Sequence, residues 1–234
     1  MTDGRDVRIA GEDNHLLVVV KPANMPTQAD ASGDPDLHSE MKKYIAERYG
    51  KPGNVYLGLV HRLDRPVGGL VVLAKTSKAA DRLSAQVREK TLFREYLAVV
   101  RGRALPEAVL TDWLCKDEKS NTVRVVPAGT AGAKDARLSY RRIAERDGLC
   151  LLRVHLYTGR SHQIRVQLSH AGLPIWGDAR YGQGRPGEQI ALWGAFLGLC
   201  HPTKKEALHF TALPPRHQPP WNLFAGEISA MAVE

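Results

Sequence analysis

The sequence predicts an α+β fold built on a largely antiparallel sheet. Three observations carry this. Strand-like segments come in runs rather than in regular alternation with helices, which argues against a doubly wound sheet. Helical spacing is confined to a few short segments. Residues 149–156, LCLLRVHL, alternate cleanly, with Cys150, Leu152, Val154 and Leu156 on one face and Arg153 and His155 on the other. The expected organisation is a flexible N-terminus over residues 1–12 and a single domain over 13–234.

The elements follow in order. LLVVV (16–20) is a short apolar run, and KPANMP ends it with two prolines, so a strand runs into a loop. Asp34-Pro35 reads as an N-cap with proline at the first helical position, and Leu37, Met41, Tyr44, Ile45 and Arg48 keep helical spacing after it. LGLV (57–60) and LVVLAK (70–75) are strand-like, and HRLDRPVGG joins them through an irregular turn. Thr76 or Ser77 caps a helix with Ala79, Ala80, Leu83 and Val87 on its apolar side. FREYLAVVRG (93–102), TVRVV (122–126) and ARLSYRRIA (136–144) read as strands. In TGRSHQIRVQLSHAG (158–172), Ser161 is the expected N-cap, and Gly172 closes the helix. An apolar segment (190–200), a strand EALHFTA (206–212) and the proline-rich LPPRHQPP complete the chain. GQGRPG (182–187) spells a nucleotide-loop pattern. No apolar strand precedes it and Pro186 is badly placed for a helix start, so it is read as a loop.

Composition narrows the function. A net charge of +8 favours an anionic partner, nucleic acid before others. MTDGRDVRIAGEDNH has no apolar signal region, and IALWGAFLGLC (190–200) is too short to span a bilayer. Cys115, Cys150 and Cys200 are widely spaced and read as reduced core thiols of a cytoplasmic protein. No metal-ligand spacing is present among the histidines, so no metal is expected.

Three groups of residues carry chemistry. Asp64 lies between Arg62 and Arg65 in the joint between two apolar strands, with Gly68-Gly69 after it. In an arbitrary loop such an aspartate is more often a structural ion pair. Here rigid strands hold the loop, and neighbouring positive charge favours the ionised form that a nucleophile or base needs. Tyr96 alternates with Ala98 and Val100, which fits a packed sheet ring as well as one that stacks on a base. In TGRSHQIR, Arg160 lies in the loop, and His162 and Arg165 are expected one helical turn apart on one face, suited to a phosphate. Arg165, beside Ile164, is the better candidate to pair with Asp64.

HRLD followed by a turn and GLVVLAK, then R-x-YLAVV-x-G, then TGR-x-HQIRVQL, then GD-x-x-YG, resembles the RluA branch of RNA pseudouridine synthases. The resemblance covers residues 13–215 with four motifs in order. It implies a mixed, mostly antiparallel central sheet flanked by helices, with an active cleft between two halves. It also implies isomerisation of chosen uridines in structured tRNA or rRNA to pseudouridine, without cofactor or metal. On the matching positions, Asp64 is the catalytic aspartate, Tyr96 the ring that stacks on the target base, and Arg165 the arginine that pairs with the aspartate. Arg62, Arg65, Arg160 and His162 are RNA-binding, and Arg62 is placed to fill the gap left by the flipped base. The carboxylate either attacks C1′ or removes the 2′ proton to give a glycal; the sequence leaves both open.

Some positions depart from the family. Arg94 stands where lysine is common, Val67-Gly68 replaces Thr-Ser, and Trp193 lies near a usual His-Ala pair. These bear on substrate preference. No room is expected for the small N-terminal S4 module of some relatives, and a monomer without an obligatory protein partner is expected. Two other classes compete. An RNA-binding helper without chemistry would predict loss of Asp64, Tyr96 or Arg165, and all three are present. A phosphotransferase of the D-x-D kind needs a carboxylate at position 66, which is proline.

Overall fold

A computed structural model describes residues 7–185 and 187–233. The expected flexible residues 1–6, and Pro186 of the discarded glycine motif, lie outside them. The chain groups into two compact units. Unit 1 holds residues up to Phe93 plus Gly194–Ala212, and unit 2 holds Arg94–Trp193 plus Leu213 onward.

In unit 1 the sheet order is β1 (Arg8–Glu12), β2 (Leu16–Lys21), β4 (Gly68–Ala74) and β10 (Leu192–Cys200). The two-residue β3 (Gly58–Leu59) pairs with β4, and β11 (Ala207–Thr211) pairs with β10. β1 corrects the expectation of flexibility for residues 8–12: Arg8, Ile9, Gly11 and Glu12 are in antiparallel register with β2, with an irregularity between Ile9 and Gly11. β2 and β4 are buried along their whole length, which is why both read as unbroken apolar runs rather than alternations. Gly69, at φ +127°, is required by packing: a Cβ there would come within 2.3 Å of the Gly194 carbonyl oxygen.

Two helices belong to this unit. α1 (Leu37–Arg48) buries Leu37, Met41 and Ile45, as its spacing predicts. Its N-cap is Asp36, whose carboxylate accepts from the Ser39 N–H at 3.0 Å, and not the expected Asp34. α2 (Ser77–Arg88) is capped by Thr76, which accepts from the Ala79 N–H at 3.2 Å.

Unit 2 is an antiparallel sheet in the order β5 (Phe93–Arg101), β9 (Leu149–Leu156), β8 (Lys134–Arg146), β6 (Glu107–Asp117), β7 (Thr122–Val126). One face packs against α3 (Gln163–His170) through Leu114, Val123, Ala136 and Val166. A short C-terminal helix, α4 (Ala225–Ala230), is tied to β8 by Arg146 and Glu227 at 2.5 Å. Only one of the expected core thiols sits in the core: Cys150 is buried, Cys115 half-buried and Cys200 exposed.

Candidate active site

The predicted site residues fall into two groups, one in each unit. In unit 1, residues 60–67 link β3 to β4. The Asp64 carbonyl accepts from the Val67 N–H at 3.0 Å, which closes a turn over Arg65-Pro66. The segment after β2 clasps this loop on both sides of the aspartate. Thr27 donates its hydroxyl to the Leu63 carbonyl at 2.7 Å and accepts from the Leu63 N–H at 3.3 Å. Lys21 Nζ donates to the carbonyls of Arg65 at 3.1 Å, Met25 at 2.6 Å and Pro22 at 2.9 Å. Asp64, half-buried, sits between the two anchors.

Lys21 is 0% exposed. Burial pushes its ammonium down to about 7; the negative charge of Asp64 pulls the other way, and the charge of Arg65 adds to the lowering. The cation coupled to Asp64 in this unit therefore includes a buried lysine. The cations expected from the sequence are the flanking arginines and Arg165, without this lysine. Arg65 turns its guanidinium to an exposed loop, where it meets Asp34, Ser32 at 2.9 Å and Asp30 at 3.5 Å. These partners explain why Asp34 is not the helix cap. Arg62 is exposed and lies 3.4 Å from the Gln28 side chain.

In unit 2, Tyr96 is 7% exposed on β5 and pairs with Val154. Two residues earlier, Arg94 packs on the TGR loop: a Cβ on Gly159 would lie 2.8 Å from its Nη1. α3 is only eight residues long, yet Gln163 to Leu168 are all buried. Arg165 is among them. Its Nε donates to Asp178 Oδ2 at 2.8 Å and its Nη2 to Oδ1 at 2.7 Å. This is the fork geometry that fixes a guanidinium in two directions. Burial pushes the Asp178 carboxyl up, but Arg165 and the N–H groups of Tyr181 and Arg180 outweigh it and hold the group below the usual range.

The helix start differs from expectation. Ser161 is not the cap. His162 is the residue before the helix, in a left-handed conformation at φ 52°, so it does not share a helical face with Arg165. Its Nδ1 meets the Tyr181 hydroxyl at 2.6 Å, and that oxygen also accepts from the Val123 N–H at 2.9 Å. Arg160 donates to the carbonyl and carboxylate of Asp135, both at 2.7 Å. Gln163 closes the loop instead, its side-chain oxygen accepting from Thr158 Oγ1 at 2.8 Å and the Arg160 N–H at 2.9 Å.

The TGR-x-HQIR and GD-x-x-YG motifs thus interlock, Asp178 holding Arg165 and Tyr181 holding His162. Gly177 opens the second motif at φ +71°, where a Cβ would meet the Gln189 carbonyl oxygen at 2.3 Å. Sequence reasoning quoted that motif without giving Asp178 a role. Lys21 has no role in that reading either, because a lysine closing an apolar run ordinarily reaches solvent. Among the described residues, no group of three or more His, Cys, Asp or Glu side chains is arranged to hold a metal ion. No described helix is long and apolar enough to cross a membrane.

Residues 15–170 match the family model described as RNA pseudouridylate synthase. The chain is 32% identical over 222 residues to ribosomal large subunit pseudouridine synthase D of Zymomonas mobilis, covering 90% of this chain and 70% of that protein. It is 34% identical over 208 residues to the synthase D of Yersinia pestis, covering 88% of this chain and 61% of that one. The match to the second relative therefore spans less than two thirds of its length. Among solved structures, human RNA pseudouridylate synthase domain containing 4 superposes with a TM-score of 0.75 at 20% identity, covering 90% of this chain and 89% of that one. This last likeness is one of fold.

Proposed function

We propose a reaction for this chain on the ground that it belongs to the RNA pseudouridylate synthase family: it isomerises chosen uridines in structured RNA to pseudouridine. The observation that carries the reading is Asp64 itself, half-buried in a loop that Thr27 and Lys21 pin on either side. These anchors fix the backbone that carries the carboxylate, and a positioned carboxylate is what a nucleophile or base requires.

The C1′–N1 bond of uridine breaks, the base turns, and C5 bonds to C1′ while the C5 proton leaves. In the nucleophilic route Asp64 attacks C1′ and displaces the base through N1; C5 then displaces the carboxylate. In the glycal route Asp64 removes the 2′ proton as the base leaves C1′ as its anion, and returns that proton to C2′ when C5 bonds to C1′. Tyr96 stacks on the detached base, and Arg165 supports the charge of the aspartate. Arg62 fills the gap left in the RNA stack, while Arg65, Arg160 and His162 serve the RNA. The reaction uses groups of the chain and the substrate, with no cofactor or metal. We place it in the cytoplasm, on tRNA or rRNA, with the protein acting as a monomer and without an obligatory partner.

The test is release of tritium from RNA labelled with 5-tritiated uridine, because forming the C5–C1′ bond expels the C5 hydrogen. Purified protein on bulk rRNA and tRNA transcripts should release label with turnover, and Asp64→Ala should release none above background. RNA binding without release by the wild type would instead favour an RNA-binding protein without chemistry.

A further inference from the structure

We propose that the outer face of the unit 2 sheet is a second RNA-contact surface, taking single-stranded RNA that flanks the modified uridine; this rests on the RNA-modifying function above. Strand alternation defines the face. Glu95 pairs with His155 and Tyr96 with Val154, so the His155 face is the one opposite Tyr96. Across the strands, His155 pairs with Ser139 and Ser139 with Val109; Arg153 pairs with Arg141 and Arg141 with Glu107. Further along the face come Tyr157 beside Arg137, and Trp113 on β6.

This surface is open. Arg124, Arg137 and Arg141 are exposed, Val109 is 54% exposed and Trp113 is 40% exposed. A depression of about 700 Å³ lies in it, walled by Arg141, Arg153, His155 and Ser139 and also by Glu95 and Glu107. Arg153 is paired with Glu95 at 2.5 Å. Arg137 lies over the Tyr157 ring at 4.7 Å, and His155 meets that ring edge-on at 4.7 Å. Rings and guanidinium planes interleaved on an exposed antiparallel sheet are the features on which unpaired bases stack and phosphates pair. Glu95 and Asp135 on this face are each met by an arginine, Arg153 and Arg160, which leaves exposed Arg124, Arg137 and Arg141 against Glu107 and Asp117, a small basic excess that suits a polyanion. An apolar protein partner would be met by charge at the centre of the face, where a protein interface is depleted of it.

The full chain is photo-crosslinked to deproteinised bulk cellular RNA, and nucleotide adducts are located by peptide mass spectrometry. Adducts are expected on peptides carrying Trp113 and Tyr157 as well as on the one carrying Asp64. Arg137→Gln combined with Arg141→Gln should weaken binding of the same RNA about tenfold and lower the salt slope of log K by about 1.4, at roughly 0.7 per phosphate contact on a single strand. Adducts confined to the neighbourhood of Asp64 and Tyr96, or an unchanged slope in the double variant, overturn the inference while leaving the proposed reaction standing. Loss of self-association without a change in RNA binding assigns the face to a second copy and overturns it as well. Absence of any adduct on the wild-type chain overturns the RNA reading itself.

Discussion

At the scale of single residues, stability depends on how buried charge is held. Lys21 supplies Nζ to the carbonyls of Pro22, Met25 and Arg65. Lys21→Met leaves those buried carbonyls short of a donor, and urea unfolding should register a loss of about 1–3 kcal/mol. Its pH dependence follows from a depressed folded value. The folded chain releases the Lys21 proton near pH 7, whereas the unfolded chain keeps it to the ordinary 10.5. Between those limits the unfolded state binds more protons, so stability rises with pH from about 7 upward and is lowest, with no further dependence on this group, below it. The Lys21→Met variant should lose that slope; an identical slope in both proteins would contradict the assignment. Asp178→Asn should be costlier, about 3–5 kcal/mol, because it removes the carboxylate that the buried Arg165 guanidinium grips with two hydrogen bonds. Asp178 is also depressed, so its contribution is present above the usual carboxylate value and disappears as pH falls through the folded one. Acid unfolding of the wild type should therefore contain a component that the asparagine variant lacks.

At the scale of elements, caps and close approaches set the energies. Thr76→Ala removes the side-chain cap of α2 and should cost about 1 kcal/mol in thermal or denaturant unfolding. Gly69→Ala should cost more, about 1–3 kcal/mol from overpacking alone, since its Cβ meets Gly194 backbone on the neighbouring strand. The elements that the sequence announced are those where pattern and burial coincide. β7 and β9 match the expected ranges residue for residue. β6 escaped because its outward Glu107, Val109, Thr111 and Trp113 alternate with Ala108, Leu110 and Asp112, a mixture with neither an apolar run nor a clean period. The β1 run RIAGE is too short and too polar to signal itself. Helix starts slipped for local reasons: Pro35 drew the first cap to Asp34, and a left-handed His162 took the place expected of Ser161. Asp64 and Arg165 could be picked out because they sit in distinctive motifs. Lys21 could not, because a lysine at a strand end ordinarily reaches solvent and here it is sealed under the loop it anchors.

At the scale of the whole molecule, a net charge of +8 and membership of an RNA-modifying family make one demand: binding must be electrostatic and local chemistry must supply the selectivity. RNA affinity should fall steeply with salt, linearly in log–log form, while Asp64→Ala leaves that dependence unchanged and removes turnover. Binding alone therefore cannot distinguish an enzyme from an RNA-binding relative. Pseudouridine mapping at nucleotide resolution can, on total RNA from cells with the gene, without it, and with only the Asp64→Ala form. The account predicts one or a few uridines that lose modification equally in the deletion and in the Asp64→Ala cells. Unchanged modification throughout, with RNA binding intact, would contradict it.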